Sequence, residues 1–77
     1  PMEQYELELI ARYGENDPEL KALWDEHIAF EKRLEKFENK PFLTPAEELE
    51  MKELKKKKLA GKTRMQAILE KYKAMEG

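Results

Sequence analysis

Apolar residues recur in steps of three and four over residues 20–37, at Leu20, Leu23, His27 (the one semi-polar member), Phe30, Leu34 and Phe37. This is the spacing of a helix that packs along its length against another helix. With Leu20, His27 and Leu34 at heptad position a, Leu23, Phe30 and Phe37 take position d. A second series runs through Met51, Leu54, Lys58, Gly61, Met65, Ile68, Tyr72 and Met75 in the same steps. A shorter amphipathic series, Tyr5, Leu9, Ile10 and Tyr13, marks a third segment. The pattern predicts helices at 3–13, 18–38 and 45–75. Val is absent, Ile occurs only at 10, 28 and 68, and no run alternates with period two, so no sheet is expected.

The helix boundaries carry their own signals. Gly14 is a suitable stop for the first helix, because glycine takes positive φ without a steric penalty. Asp17 can cap the second helix, Pro18 suits its first turn, and Glu19 complements the positive end of its dipole. Asn39-Lys40-Pro41 ends that helix, since proline disfavours helical geometry in the residue before it. Phe42 and Leu43 are expected to plug the bend. Thr44-Pro45-Ala46-Glu47 reads as a capping box opening the third helix.

So short a bend makes the two long helices antiparallel. In that arrangement Arg33 flanks Glu50, Glu26 flanks Lys57 and Glu19 flanks Arg64, all opposite in sign, with Glu31 against Lys55 on the other side. Lys58 and Gly61 interrupt the third helix's apolar series. Lys58 can lay its stem on the seam and carry its charge out to water. Gly61 is expected to make room for Trp24 or His27. The third helix outruns the second, leaving Ile68, Leu69, Tyr72 and Met75 without a partner. Residues 3–13 either fold back onto that overhang or are replaced there by another subunit. The expected fold is all-α: an antiparallel two-helix coiled-coil hairpin with a short N-terminal helix, one domain over 1–77.

Charge sharpens this picture. Residues 1–50 hold six Lys/Arg against fourteen Asp/Glu, and residues 51–77 hold nine against three, so −8 and +6 combine to the net −2. Halves of opposite sign suit two helices that face each other; the rival reading is a basic half that seeks phosphate. With no Cys there is no disulfide and no thiolate metal site. No apolar run approaches the roughly 20 residues of a membrane span, and no signal-peptide pattern opens the chain, so a cytoplasmic protein is expected. Pro1 ahead of Met2 reads as a remnant before a native start.

Two segments also resemble a known family. Leu23-Trp-Asp-Glu-His27-Ile-Ala-Phe30-Glu-Lys-Arg-Leu34-Glu is similar to the L-x-x-x-H-x-x-L-x-x-x-I-x segment of the YdcH-like family. Leu54-Lys-Lys-Lys-Lys58-Leu59-Ala-Gly-Lys62-Thr-Arg-Met65 is similar to that family's L-K-x-x-K-L-x-L-K-D-x-I segment. The resemblance covers residues 17–73 and implies a cytoplasmic bacterial helical hairpin of unknown function. It implies no activity. Gly61 stands where the family usually has a large apolar residue and Thr63 where it usually has Asp, so a role tied to that acid has no carrier here.

Candidate chemistry is sparse. His27 is the only histidine. Carboxylates alone are poor company for a zinc site, and a two-helix hairpin offers no cleft for catalysis. A structural seam histidine is the expectation, with a pH-sensitive packing role as the lesser reading, and no enzyme activity, metal or cofactor is expected. Lys52, Lys55, Lys56, Lys58, Lys62 and Arg64 form a basic stripe that could bind nucleic acid. Against it stand the acidic partners of Lys55, Lys57 and Arg64 and a pI near 5.5. Trp24, Ile28 and Leu59 lie outside the seam and form a second apolar strip, an interface candidate together with Ile68, Leu69 and Tyr72. The leading expectation is a non-enzymatic protein–protein interaction module, weakly self-associating; the alternative is a nucleic-acid-binding accessory protein.

Overall fold

The computed structural model describes residues 2–77. Pro1, with its reading as a remnant, lies outside the described residues. Three α-helices follow one another: α1 (Gln4–Tyr13), α2 (Pro18–Glu38) and α3 (Pro45–Glu76), with a 3-10 turn at Gly14–Asn16 between the first two. No strand occurs among the described residues. The protein is an elongated all-α body of 47 × 18 × 17 Å.

The helix ends follow from local chemistry. Leu20 N donates to Asp17 Oδ1 at 3.1 Å and Pro18 sits in the first turn of α2. The capping box of α3 is closed in both directions, Glu47 N to Thr44 Oγ1 at 3.1 Å and Thr44 N to Glu47 Oε1 at 3.0 Å. A link of the same kind opens α1, where Glu3 N donates to Glu6 Oε1 at 2.9 Å. Gly14 departs from expectation. Its φ is −58°, because the chain tightens directly into the 3-10 turn and needs no left-handed residue.

The bend also differs from the expected plug. Phe42 is 88% exposed and only Leu43 is half-buried. The bend is closed by the Lys40–Glu47 ion pair and the Thr44 cap. These set the backbone without needing the phenyl ring inside.

α1 folds back within the chain. Leu9 and Ile10 of α1, Leu20 of α2, and Met65 and Leu69 of α3 form one buried cluster, with Met2, Tyr13, Leu23, Trp24, Ile68 and Tyr72 packed against it. An isolated ten-residue helix is marginal in water; burial against α2 and α3 stabilises this one. Tyr13 stacks on Tyr72, ring centroids 4.1 Å apart and 9° from parallel. Tyr72 donates its hydroxyl to Asp17 Oδ2 at 2.6 Å, tying α3 to the cap of α2. Arg12 and Tyr13 both bond Glu76 at the far end of α3.

Two ion pairs fix how α2 and α3 meet. Arg33 Nη2 lies 2.6 Å from Glu50 Oε1, and Arg64 Nη2 lies 2.6 Å from Glu19 Oε2. The late part of α2 therefore meets the early part of α3, and the reverse, with one register held between the two pairs. The other expected pairs are not formed. Glu26 and Lys57 make no ion pair among the described residues, and Glu31 turns to His27 and Lys58 instead of Lys55.

Burial across α2 is uneven in a way the heptads do not show. The a column, Leu20, His27 and Leu34, is buried; the d column, Leu23, Phe30 and Phe37, is only half-buried. Gly61 makes room for neither Trp24 nor His27. A Cβ built there would have nothing within 4 Å, so it marks an unfilled notch. Glycine inside a helix is destabilising by about 1 kcal/mol relative to alanine. Gly61→Ala is therefore expected to stabilise the dilute protein by about 0.5–1 kcal/mol in chemical denaturation. A destabilised variant would mean that the notch is filled.

Candidate functional site

The strip Trp24–Ile28–Leu59 divides once folded. Trp24 is half-buried and stacks on His27, centroids 5.7 Å apart at 17°. Ile10, Ala11 and Gly14 stand across a hollow from it, so α1 reaches this side of α2. Ile28 is half-buried as well. Leu59 is 65% exposed. Of the overhang residues, Leu69 is 1% exposed in the core, and Ile68 and Tyr72 are half-buried against it.

The basic stripe also divides. Lys52, Lys55 and Lys56 are exposed and share the outward face of α3 with Leu59 at helical spacing. Lys58 is half-buried, its Nζ 3.7 Å from Glu31 Oε2. Lys62 is half-buried too, and Arg64 is held by Glu19. The charges that face solvent together are Lys52, Lys55 and Lys56.

His27 sits in the middle of this arrangement, 5% exposed. Its Nε2 lies 3.3 Å from Glu31 Oε1, and its Nδ1 is buried without a partner. Burial lowers the imidazole pKa below its ordinary value of 6.5; Glu31 opposes the shift, and the Lys58 and Lys62 ammonium groups add to it. The folded state therefore favours the neutral ring. As pH falls below about 6.5 the unfolded chain takes up a proton that the folded chain refuses until its own lower pKa is reached, so stability is lost over that interval. The melting temperature is therefore expected to fall as pH drops below about 6.5. His27→Leu should flatten the curve there; an equal fall in that variant would assign the loss to another group.

Further loss belongs to stronger acid. The carboxylate of Asp17 is held below 3.8 by the Tyr72 hydroxyl and the Leu20 amide. Lys40 does the same for Glu47, and Tyr13 and Arg12 for Glu76, each below 4.5. All three contribute stability that is lost as pH falls through their lowered values.

Other features escaped the sequence reading. Phe42 lines an open hollow of about 590 Å³ together with apolar Phe37, Leu43 and Met51 and charged Glu38, Glu48 and Lys55. The half-exposed d column had a partial signal in Gly61, the one seam position with no side chain. Among the described residues, no group of three His, Asp or Glu side chains is placed to hold a metal ion. No helix there is long and apolar enough to cross a membrane.

These features define a small all-α protein whose exposed chemistry is charged and apolar helix surface. The chain belongs to the DUF465 family, described as a protein of unknown function, whose model matches residues 20–69. The YdcH-like resemblance is to a family of this same group. No curated protein and no solved structure matches the chain.

Proposed function

We propose that the protein is a non-enzymatic interaction module, an antiparallel coiled-coil hairpin braced by α1 that works by helix-on-helix contact. The observation that carries this reading is Leu59, 65% exposed on the outward face of α3. Burying that aliphatic side chain against a partner is favourable, at about 25 cal/mol per Å² of apolar surface removed from water. The hairpin is supported by the Glu19–Arg64 and Arg33–Glu50 pairs and their common register.

Immobilised protein is expected to retain a partner protein from cell extract, and Leu59→Glu to lose it with helicity unchanged. Retention indifferent to Leu59→Glu would remove the basis of this reading.

The second reading, nucleic-acid binding, is favoured by one observation: Lys52, Lys55 and Lys56 face solvent with no ion pair among the described residues. Phosphate contacts release counterions, so binding carried by three lysines would weaken with a log–log salt slope of about −2 to −3. A mobility shift on DNA or RNA with that slope, abolished by replacing the three lysines with Gln, would put this reading in place of the first.

A further inference from the structure

The edge of the α2–α3 pair away from Trp24 is built from residues at sevenfold spacing. Glu19, Glu26 and Arg33 run along α2; Glu50, Lys57 and Arg64 run along α3. The outer members close into the Glu19–Arg64 and Arg33–Glu50 pairs. At the middle level, Glu26 and Lys57 are exposed and unpaired with each other. Leu23 and Phe30 of α2 and Gly61 of α3 lie between these rows, all half-buried, and Ile68 stands one turn beyond Arg64, packed with Leu23 against the central cluster. The register set by the two ion pairs puts Gly61 at the level of Leu23, yet nothing comes within 4 Å of the Gly61 Cβ position. α1 lies on the Trp24 side, so this edge keeps its apolar row, its notch and its uncompensated charges.

We propose that this edge is a self-association face, taking a second copy of the chain with both copies pointing the same way. The charge order selects the occupant and its direction. A twofold axis along the length of the rod lays α3 of the second copy on α2 of the first at the same level. Glu19, Glu26 and Arg33 of one copy then meet Arg64, Lys57 and Glu50 of the other, opposite in sign at every level, and symmetry repeats the set. The reversed stacking, centred on the middle of the edge, brings Glu26 onto Glu26 and Lys57 onto Lys57. Leu23 of each copy reaches the Gly61 notch of the other, a knob meeting a hole. The apolar row from Leu23 to Phe37 is about 21 Å long at 1.5 Å per residue, so the association is weak. The proposal deepens the interaction-module reading by naming a partner and a face, and it does not involve Leu59.

Sedimentation equilibrium from about 10 μM to about 1 mM tests it. Wild type is expected to dimerise within that range. Glu26→Lys and Lys57→Glu are each expected to weaken association by at least about tenfold, because each sets like charges across the interface. An equimolar mixture of the two variants is expected to dimerise again. One chain then carries two lysines at these levels and the other two glutamates, so both cross-chain contacts are opposite in sign. Both positions are exposed, and the dilute variants should melt close to wild type.

A wild type monomeric at about 1 mM overturns the proposal. So does a mixture no better than its components, or rescue seen only when both changes are in one chain, which would mean a contact within the hairpin. Association lost in Leu59→Glu but kept in Glu26→Lys would move the interface to the other face. A chain that stays monomeric yet retains a Leu59-dependent partner leaves the module reading standing while this proposal falls.

Discussion

Leu20→Ala is expected to lower the unfolding free energy by about 3–5 kcal/mol. Leu20 is 0% exposed and lies where all three helices meet, in one cluster with Leu9, Ile10, Met65 and Leu69. Removing its isobutyl group opens a cavity whose walls belong to different helices. The loss is then the transfer term plus the unfilled volume. Phe30 has the larger side chain, but it stands at the half-buried edge. Its replacement by alanine in dilute solution should cost less, about 2–3 kcal/mol, since part of its surface is already in water. Urea titrations of the two variants decide the ranking. A larger loss at Phe30 than at Leu20 would place the core between the d columns and not under α1.

Ile10→Asp is expected to detach α1 and to cost at least about 3 kcal/mol. Ile10 is 7% exposed in the central cluster. An unpaired carboxylate there must be desolvated, protonated or expelled, and expulsion takes the helix with it. Once off, α1 has no stabilising surface and a segment of its length frays in water. The Tyr13–Tyr72 stack and the Glu76 contacts of Arg12 and Tyr13 go with it. Amide exchange is the readout. Protection over residues 4–13 should fall to that of an open chain while the middle of α2 and α3 stays protected. Undiminished protection in α1 would show that its docking does not depend on this side chain.

The helices themselves were legible because their signals are local. Asp17-Pro18, Asn39-Lys40-Pro41 and Thr44-Pro45 fix ends by capping and by what proline cannot do. The expected segments at 3–13, 18–38 and 45–75 differ from the observed helices by a single residue at two ends. The Glu19–Arg64 and Arg33–Glu50 pairs were legible because charges at sevenfold spacing can meet in only a few ways.

The rest depended on where a third element lies. A heptad pattern treats a and d alike. In α2 burial favours the a column and leaves Leu23, Phe30 and Phe37 half-buried, whereas in α3 the d residue Leu54 is buried and Met51, Lys58 and Tyr72 at a are half-buried. α1 lies on the Trp24 side and leaves Leu59 outside, dividing a strip that spacing had joined. Phe42 escaped for another reason: an apolar residue in a bend looks like a plug unless the polar closure by Lys40, Glu47 and Thr44 is also known.

The proposed dimer requires that α1 cover the overhang of its own α3 and leave the Leu23–Phe30–Ile68 edge for a second copy. Isotope-filtered NOE spectra of an equal mixture of labelled and unlabelled chains at high concentration test both halves at once. Ring protons of Tyr13 and Tyr72, on rings 4.1 Å apart, should give cross-peaks only within a chain, and cross-peaks between chains should involve Leu23, Phe30 and Ile68. Tyr13–Tyr72 cross-peaks between chains, or interchain contacts at Trp24 and Leu59 in place of Phe30, would contradict the account.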